Sequence, residues 1–285
     1  MKKLIYVYLN FIDNLFLRNI NEKNDILFRI KRLLFPVCLS IFFIIIIGIM
    51  CVRMFDIYEH NSGFVDTVDD YYQGNYSDAR KKIEKSFIEN NQNSIEAYYI
   101  RGSINFKLKR YYYALKDLSI VSSSNIMKNM DDNYFLYVEK QFFFSSDKFY
   151  AEYKPTVFVE TYLMKSESKM KLKDYRGAII DAGVAIDSLA KYQKNFTSDF
   201  VNNKYISLRY VIGCSNFKIN KLDNSMFSFN EVIKWRGEYS YPKVYIYKGL
   251  IAQMKKQKDS ACLYYSKAGE LGDASAYAYI NKWCK

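Results

Sequence analysis

The stretch TYLMKSESKMKLKDYRGAIIDAGVAI, Thr161 to Ile186, reads as two helical patterns joined by a short polar turn. A small residue, Ser166, sits in the middle of the first pattern; Tyr175 follows the turn, and Ala178 lies one turn into the second. The same arrangement recurs on both sides of it. YYQGNYSDARKKIEKSFIENN runs from Tyr71 to Asn91 and AYYIRGSINFKLKRYYYALKDLSIV from Ala97 to Val121. LRYVIGCSNFKINKLDNSMFSFNEVI runs from Leu208 to Ile233 and VYIYKGLIAQMKKQKDSACLYYSKA from Val244 to Ala268. Self-similarity at a period of a few tens of residues is the mark of stacked supersecondary units, each too small to bury its apolar face alone.

Aligned, the units place Gly102, Ser166, Gly213 and Gly249 at the small first-helix position and Tyr76, Tyr111 and Tyr175 at the turn. Ala79, Ala114, Ala178, Ser225 and Ala261 fall where the second helix crosses the first. A missing or minimal side chain lets two helix axes approach, and an aromatic fills the gap between units. This pattern resembles the tetratricopeptide repeat, over roughly residues 65–285. The resemblance implies an all-α solenoid of about five helical hairpins. The crossing residues are 35, 64, 47 and 36 apart, against the family's period of about 34. Two intervals therefore carry insertions, one around Asn129 to Tyr153 and one around Lys191 to Asn202. Repeat four departs from the pattern at Leu222 and Ser225, and the family's inter-repeat proline occurs only as Pro155 and Pro242. In the tail, Gly272 should end a helix and Asp273 cap the next; that last helix, from Ala274 to about Trp283, would cover the end of the array.

Upstream, Leu33 to Val52 is twenty residues without a charge, fourteen of them Leu, Ile, Val or Phe, and Arg53 follows at once. A helix of that length covers about 30 Å, the thickness of a bilayer's hydrocarbon core. A single transmembrane helix is expected there, retained rather than cleaved, because no small-x-small cleavage site follows. Residues 1–32 hold seven Lys or Arg against three acids and form either an interfacial helix or a basic leader; residues 53–64 link the span to the repeats. Arg29, Lys31 and Arg32 precede the span, whereas Asp56, Glu59, Asp66, Asp69 and Asp70 follow Arg53. The basic flank stays in the cytoplasm. The repeats are therefore expected outside it, in the periplasm if the cell is Gram-negative.

No enzyme constellation is present: there is no GxSxG, GxxxxGK, HExxH or GxGxxG, and the chain has one histidine, His60. Cys214, Cys262 and Cys284 show no CxxC spacing, so neither a metal nor a cofactor is expected. Cys262 and Cys284 could pair outside the cytoplasm, but as small apolar side chains all three cysteines read more simply as core. The formal charge of +12 is spread without a basic stripe of base-stacking aromatics, and no nucleic acid is expected.

What remains is a surface. The resemblance puts the first helices along a groove, which here would hold Tyr99, Ser103, Phe106 and Lys107 from repeat two and Leu163, Glu167, Met170 and Lys171 from repeat three. Repeat four would add Tyr210, Cys214, Phe217 and Lys218. Lys107, Lys171 and Lys218 recur at one register and suit an acidic or C-terminal segment of a protein or peptide partner. The expected function is a membrane-anchored, non-catalytic scaffold; the alternative is a subunit that assembles a membrane complex through its transmembrane helix, with the solenoid as spacer.

Overall fold

The computed structural model describes residues 45, 46, 48, 64, 66–90, 94–124, 127, 134–136, 151–236 and 241–285. The chain divides into two compact units, Met1–His60 and Asn61–Lys285, and the second contains the repeats. Among the described residues no helix is long and apolar enough to cross a membrane. Leu33 to Val52, apart from Ile45, Ile46 and Gly48, lies outside the described residues, as do His60 and most of the linker.

The second unit is a tetratricopeptide-like all-α solenoid. A helical stretch at 66–73 and α1 (Tyr76–Asn90) form the first hairpin. α2 (Ile95–Lys107) and α3 (Tyr111–Ser123) form the second, and α4 (Lys154–Lys171) and α5 (Tyr175–Lys191) the third. α6 (Ser198–Lys218) pairs with α7 (Leu222–Arg236), and α8 (Pro242–Met254) with α9 (Lys258–Glu270). α10 (Ala276–Trp283) closes the array.

Each hairpin turns in the same way. Gly74, Lys109, Lys173, Asn220, Lys256 and Gly272 all take positive φ, between 59° and 91°. The amide after each donates to the carbonyl five residues back, at 2.8–3.0 Å: Asn75 to Asp70, Arg110 to Asn105, Asp174 to Lys169, Lys221 to Asn216, Gln257 to Ala252 and Asp273 to Ala268. This is a Schellman closure, which satisfies carbonyls that the ending helix would leave bare. Every crossing residue lies five positions after its turn residue, so one turn geometry fixes where the next helix crosses.

At the crossing, a small side chain on the first helix faces a larger one on the second. A Cβ on Gly102 would meet Leu118 at 2.9 Å, on Gly213 would meet Phe229 at 2.7 Å, and on Gly249 would meet Tyr265 at 2.4 Å. In the third hairpin the register brings Ser166 opposite Ala182, both 0% exposed, so a larger notch meets a smaller knob. Ser225, standing where alanine is expected, donates its Oγ to the Gly213 carbonyl at 2.8 Å, which lets a hydroxyl lie buried at no cost in unpaired groups.

The structure shows what the insertions are and corrects the reading of the prolines and the tail. The insertion between repeats two and three is not helical where it is described: β1 (Tyr134–Leu136) pairs antiparallel with β2 (Ala151–Tyr153), Phe135 opposite Glu152. The second insertion is mostly longer helix, because α5 and α6 have 17 and 21 residues where α3 and α2 have 13. Pro155 and Pro242 stand in the first turns of α4 and α8, where a missing amide costs no hydrogen bond. Cys262 and Cys284 are not separate core residues but a disulfide, Cα to Cα 5.6 Å, joining α9 to the residue that ends α10. The last helix starts at Ala276 rather than Ala274 because the Asp273 carboxylate accepts from the Ser275 amide and hydroxyl, at 3.0 and 2.6 Å, and holds a turn there. Among the described residues Cys214 alone is a free buried thiol.

Candidate partner-binding groove

α2, α4 and α6 are the first helices of successive hairpins, and their C-terminal halves carry the residues aligned at one register. Lys107, Lys171 and Lys218 each sit in the last turn of their helix and are exposed. A lysine there complements the negative helix end and needs no ion partner to be held.

Two of them, Lys107 and Lys171, act with Lys204 on the carboxyl of Glu167 in α4. Partial burial pushes its carboxyl above the usual glutamate range, while Lys171, Lys107 and Lys204 pull it back. Three helices thus direct positive charge at one carboxylate. Glu160, two turns earlier, ties the same helices together: it accepts from the Tyr99 hydroxyl of α2 at 3.1 Å and from Lys204 Nζ of α6 at 2.6 Å.

Next to Lys171 and Lys218, Cys214 lies between Tyr210 and Tyr247. Burial raises the thiol to about 11 against the opposing pull of hydrogen bonds from both tyrosines and the field of both lysines. It is a protonated, unreactive group at neutral pH. Burial likewise pushes the Tyr210 and Tyr247 hydroxyls well up. Tyr210 stands 5.5 Å from the Tyr241 ring, and Tyr247 is 5.4 Å from Phe217 and stacked on Phe229 at 5.2 Å. This aromatic floor is continuous with the core and places hydroxyls beside the lysine row.

Not every residue assigned to the groove by register is available. Tyr99 is 2% exposed, with its hydroxyl on Glu160 of α4, and Ser103 is 0% exposed; they support the face from below. Phe106, Leu163, Met170, Tyr210 and Phe217 are half-buried, and Glu167 sits among the lysines. Sequence reasoning missed Lys204, Glu160, Tyr241 and Tyr247. Lys204 falls in the extra turns of α6, before the stretch that aligns as repeat four, and Glu160 stands one residue before the aligned start of repeat three. Among the described residues no three His, Cys, Asp or Glu come together as a metal set.

Comparison with known proteins gives the fold. No protein-family model matches the sequence, and no match is found among curated proteins. A crystal structure of MamA protein is similar at 15% identity, covering 77% of this chain and 95% of that one, with a TM-score of 0.51. MamA MSR-1 C2 is similar at 13% identity, covering 75% and 98%, with the same TM-score of 0.51. A thermophilic TPR protein of Thermus thermophilus shows 17% identity over 79% of this chain and 98% of its own, with a TM-score of 0.41. At such identities the likeness to the MamA structures speaks for the helical-hairpin architecture.

Proposed function

We propose that this chain is a membrane-anchored, non-catalytic scaffold that holds an extended acidic segment of a protein partner along the face built by α2, α4 and α6. The observation that carries the reading is the row of exposed Lys107, Lys171 and Lys218 at one register of α2, α4 and α6, beside the half-buried Tyr210 and Phe217 rings, with Glu167 the acid whose carboxyl Lys171 and Lys107 pull down. An excess of positive charge over a half-buried aromatic floor suits a strand of acidic and apolar side chains, whose backbone can use the tyrosine hydroxyls. In this reading Leu33 to Val52 is the anchor and the solenoid lies outside the cytoplasm, as the charge flanking the span favours. The Cys262–Cys284 disulfide supports the same side, since such bonds persist in oxidising compartments.

The test is in-cell crosslinking of a C-terminally tagged chain, comparing the wild type with a Lys107→Ala, Lys171→Ala, Lys218→Ala triple variant. The expected result is a small reproducible set of extracytoplasmic proteins that the triple variant loses. A set that the triple variant captures unchanged would overturn the groove. A second arm exchanges Leu33 to Val52 for an unrelated apolar helix: the scaffold keeps its partners, whereas a subunit assembled through its transmembrane helix loses them.

A further inference from the structure

A second polar site lies away from the lysine row, where the second helix of one hairpin meets both helices of the next. It is a cavity of about 220 Å³ lined by Glu84 of α1, Arg101 and Asn105 of α2, Arg110 at the turn, and Tyr113, Lys116 and Asp117 of α3. None of these residues belongs to the face described above. Two of its polar atoms are buried with no hydrogen bond among the described residues: the Asn105 Oδ1, on a residue 4% exposed, and the Arg110 Nη1. Buried polar groups in folded proteins are nearly always paired, and an exception at a cavity wall marks where a partner belongs.

The charges lining the cavity do not cancel. Asp117 is held by Arg101 in a two-pronged contact, at 2.9 and 2.7 Å. Glu84 is held the same way by Arg80, at 2.9 and 3.2 Å, and lies 3.8 Å from Arg110 Nη1, too far for a hydrogen bond. The Arg110 guanidinium is braced over the Tyr113 ring at 4.4 Å, which fixes its plane. Lys116 stands at the edge of the cavity, outside both of these carboxylate pairs. α3 also begins, after its N-cap Arg110, without a side-chain cap, so the positive end of its dipole lies at the turn that carries Arg110.

With Arg80, which holds Glu84, four cations stand against two carboxylates, so the cavity carries a positive excess, and the fixed guanidinium offers an N–H edge with no hydrogen bond. We infer that this cavity is a binding site for a single carboxylate, held by Arg110 Nη1, Lys116 and the Asn105 amide and bearing a short carbon stem. A carboxylate meets that excess and the donor edge of Arg110 with a single negative charge, and so suffers less repulsion from Glu84 and Asp117 than a doubly charged group would. The volume is several times that of one water, which suits a carboxylate with two or three methylenes. The atom left unpaired is the Asn105 Oδ1, an acceptor, so the amide holds a carboxylate only with its NH2 turned to the cavity, and a bound carboxylate selects that orientation.

The carboxylate can come from an acidic side chain or from a chain end, and the probes separate them. Full-length protein in detergent is titrated with N-acetyl-glutamate amide, with its neutral twin N-acetyl-glutamine amide, and with N-acetyl-alanine carrying a free terminus, while ligand-observed saturation transfer is recorded by NMR. The glutamate probe, the terminal probe or both should bind, and the glutamine probe should not. Binding should weaken about tenfold or more in Lys116→Gln and again in Arg110→Gln, since each removes a charge-assisted hydrogen bond. It should persist in Lys171→Ala, which separates this site from the lysine row. Equal signals from the glutamate and glutamine probes, no signal from either carboxylate, or full binding in Lys116→Gln with Arg110→Gln would overturn the assignment.

Discussion

Hairpins two and three cross on charge, and hairpins four and five cross on rings. Eight residues before the turn, hairpin two has Arg101, and eight after it Asp117, joined at 2.7 Å. Hairpin three has Lys165 and Asp181 at those two places, 3.7 Å apart, with Lys169 closing on Asp181 at 2.7 Å. In hairpin five Lys248 lies instead over the Tyr264 ring at 4.5 Å, and hairpin four carries Ile212 and Ser228 with no charge at either position. One position further in, the order of bulk changes too: Leu118 and Ala182 in the charged pair, Phe229 and Tyr265 in the aromatic pair. The same turn and the same approach of helix axes are therefore stabilised by two chemistries. Geometry is what the repeat keeps within this chain, and the contact chemistry is interchangeable.

The largest effect should come from breaking the charged crossing. Asp181 and Lys165 have side chains only 8% and 9% exposed, and Lys165 has its pKa lowered by burial while donating to Ser122 Oγ at 2.9 Å. Asp181→Ala strands Lys165 and removes the partner of Lys169, and should cost about 3–5 kcal/mol in denaturant unfolding, whereas Asp181→Leu with Lys165→Met should recover most of that, since Lys169 is partly exposed. If the double variant is as unstable as the single one, the two chemistries are not interchangeable.

The aromatic crossing breaks differently. Gly249→Ala puts a methyl 2.4 Å from the Tyr265 ring and should cost about 1–3 kcal/mol, with Tyr265→Leu in the same chain recovering part of it. A Gly249→Ala chain as stable as the wild type would show that the Gly–Tyr fit is not what sets the helix approach. Smaller again is a gain. Lys173 holds φ at 68°, which costs a side-chain-bearing residue about 1 kcal/mol, so Lys173→Gly should raise stability by that much if the shared turn is strained alike in both classes of hairpin.

The smallest effect is in pH. Glu167 has its folded pKa above the unfolded one, so the folded state binds the extra proton and stability falls as pH rises from the ordinary glutamate range through the raised value. Glu167→Gln should remove that decline, and a stability curve that drops equally in both chains would assign it to another group.

The hairpins are legible because they are written in residue type: glycine or serine, then an aromatic, then alanine, at fixed offsets from a turn. The crossing charges are not, because Arg101 and Asp117 are 16 residues apart and each alone looks like an ordinary surface residue. Register places Tyr99 and Ser103 on an open face, yet both are buried; α4 is displaced along the sequence by the insertion, and only packing reveals that Tyr99 reaches its Glu160. The ribbon of Tyr134–Leu136 with Ala151–Tyr153 gives little signal, since three residues per strand are too few for an alternating pattern. The disulfide is open to either reading because spacing alone cannot say whether two cysteines face each other.

That disulfide has a consequence for how the array comes apart. A stack of hairpins in which each touches only its neighbours unravels from its ends, where a unit has one neighbour to lose. α10 is the natural starting point at the C-terminal end, and the bond between Cys262 and Cys284 stitches it to the hairpin beneath it. In an oxidising environment this end is pinned, and α10 should come away only together with α9. Under reducing conditions the pin is gone, and α10 should fray first, before the hairpin beneath it.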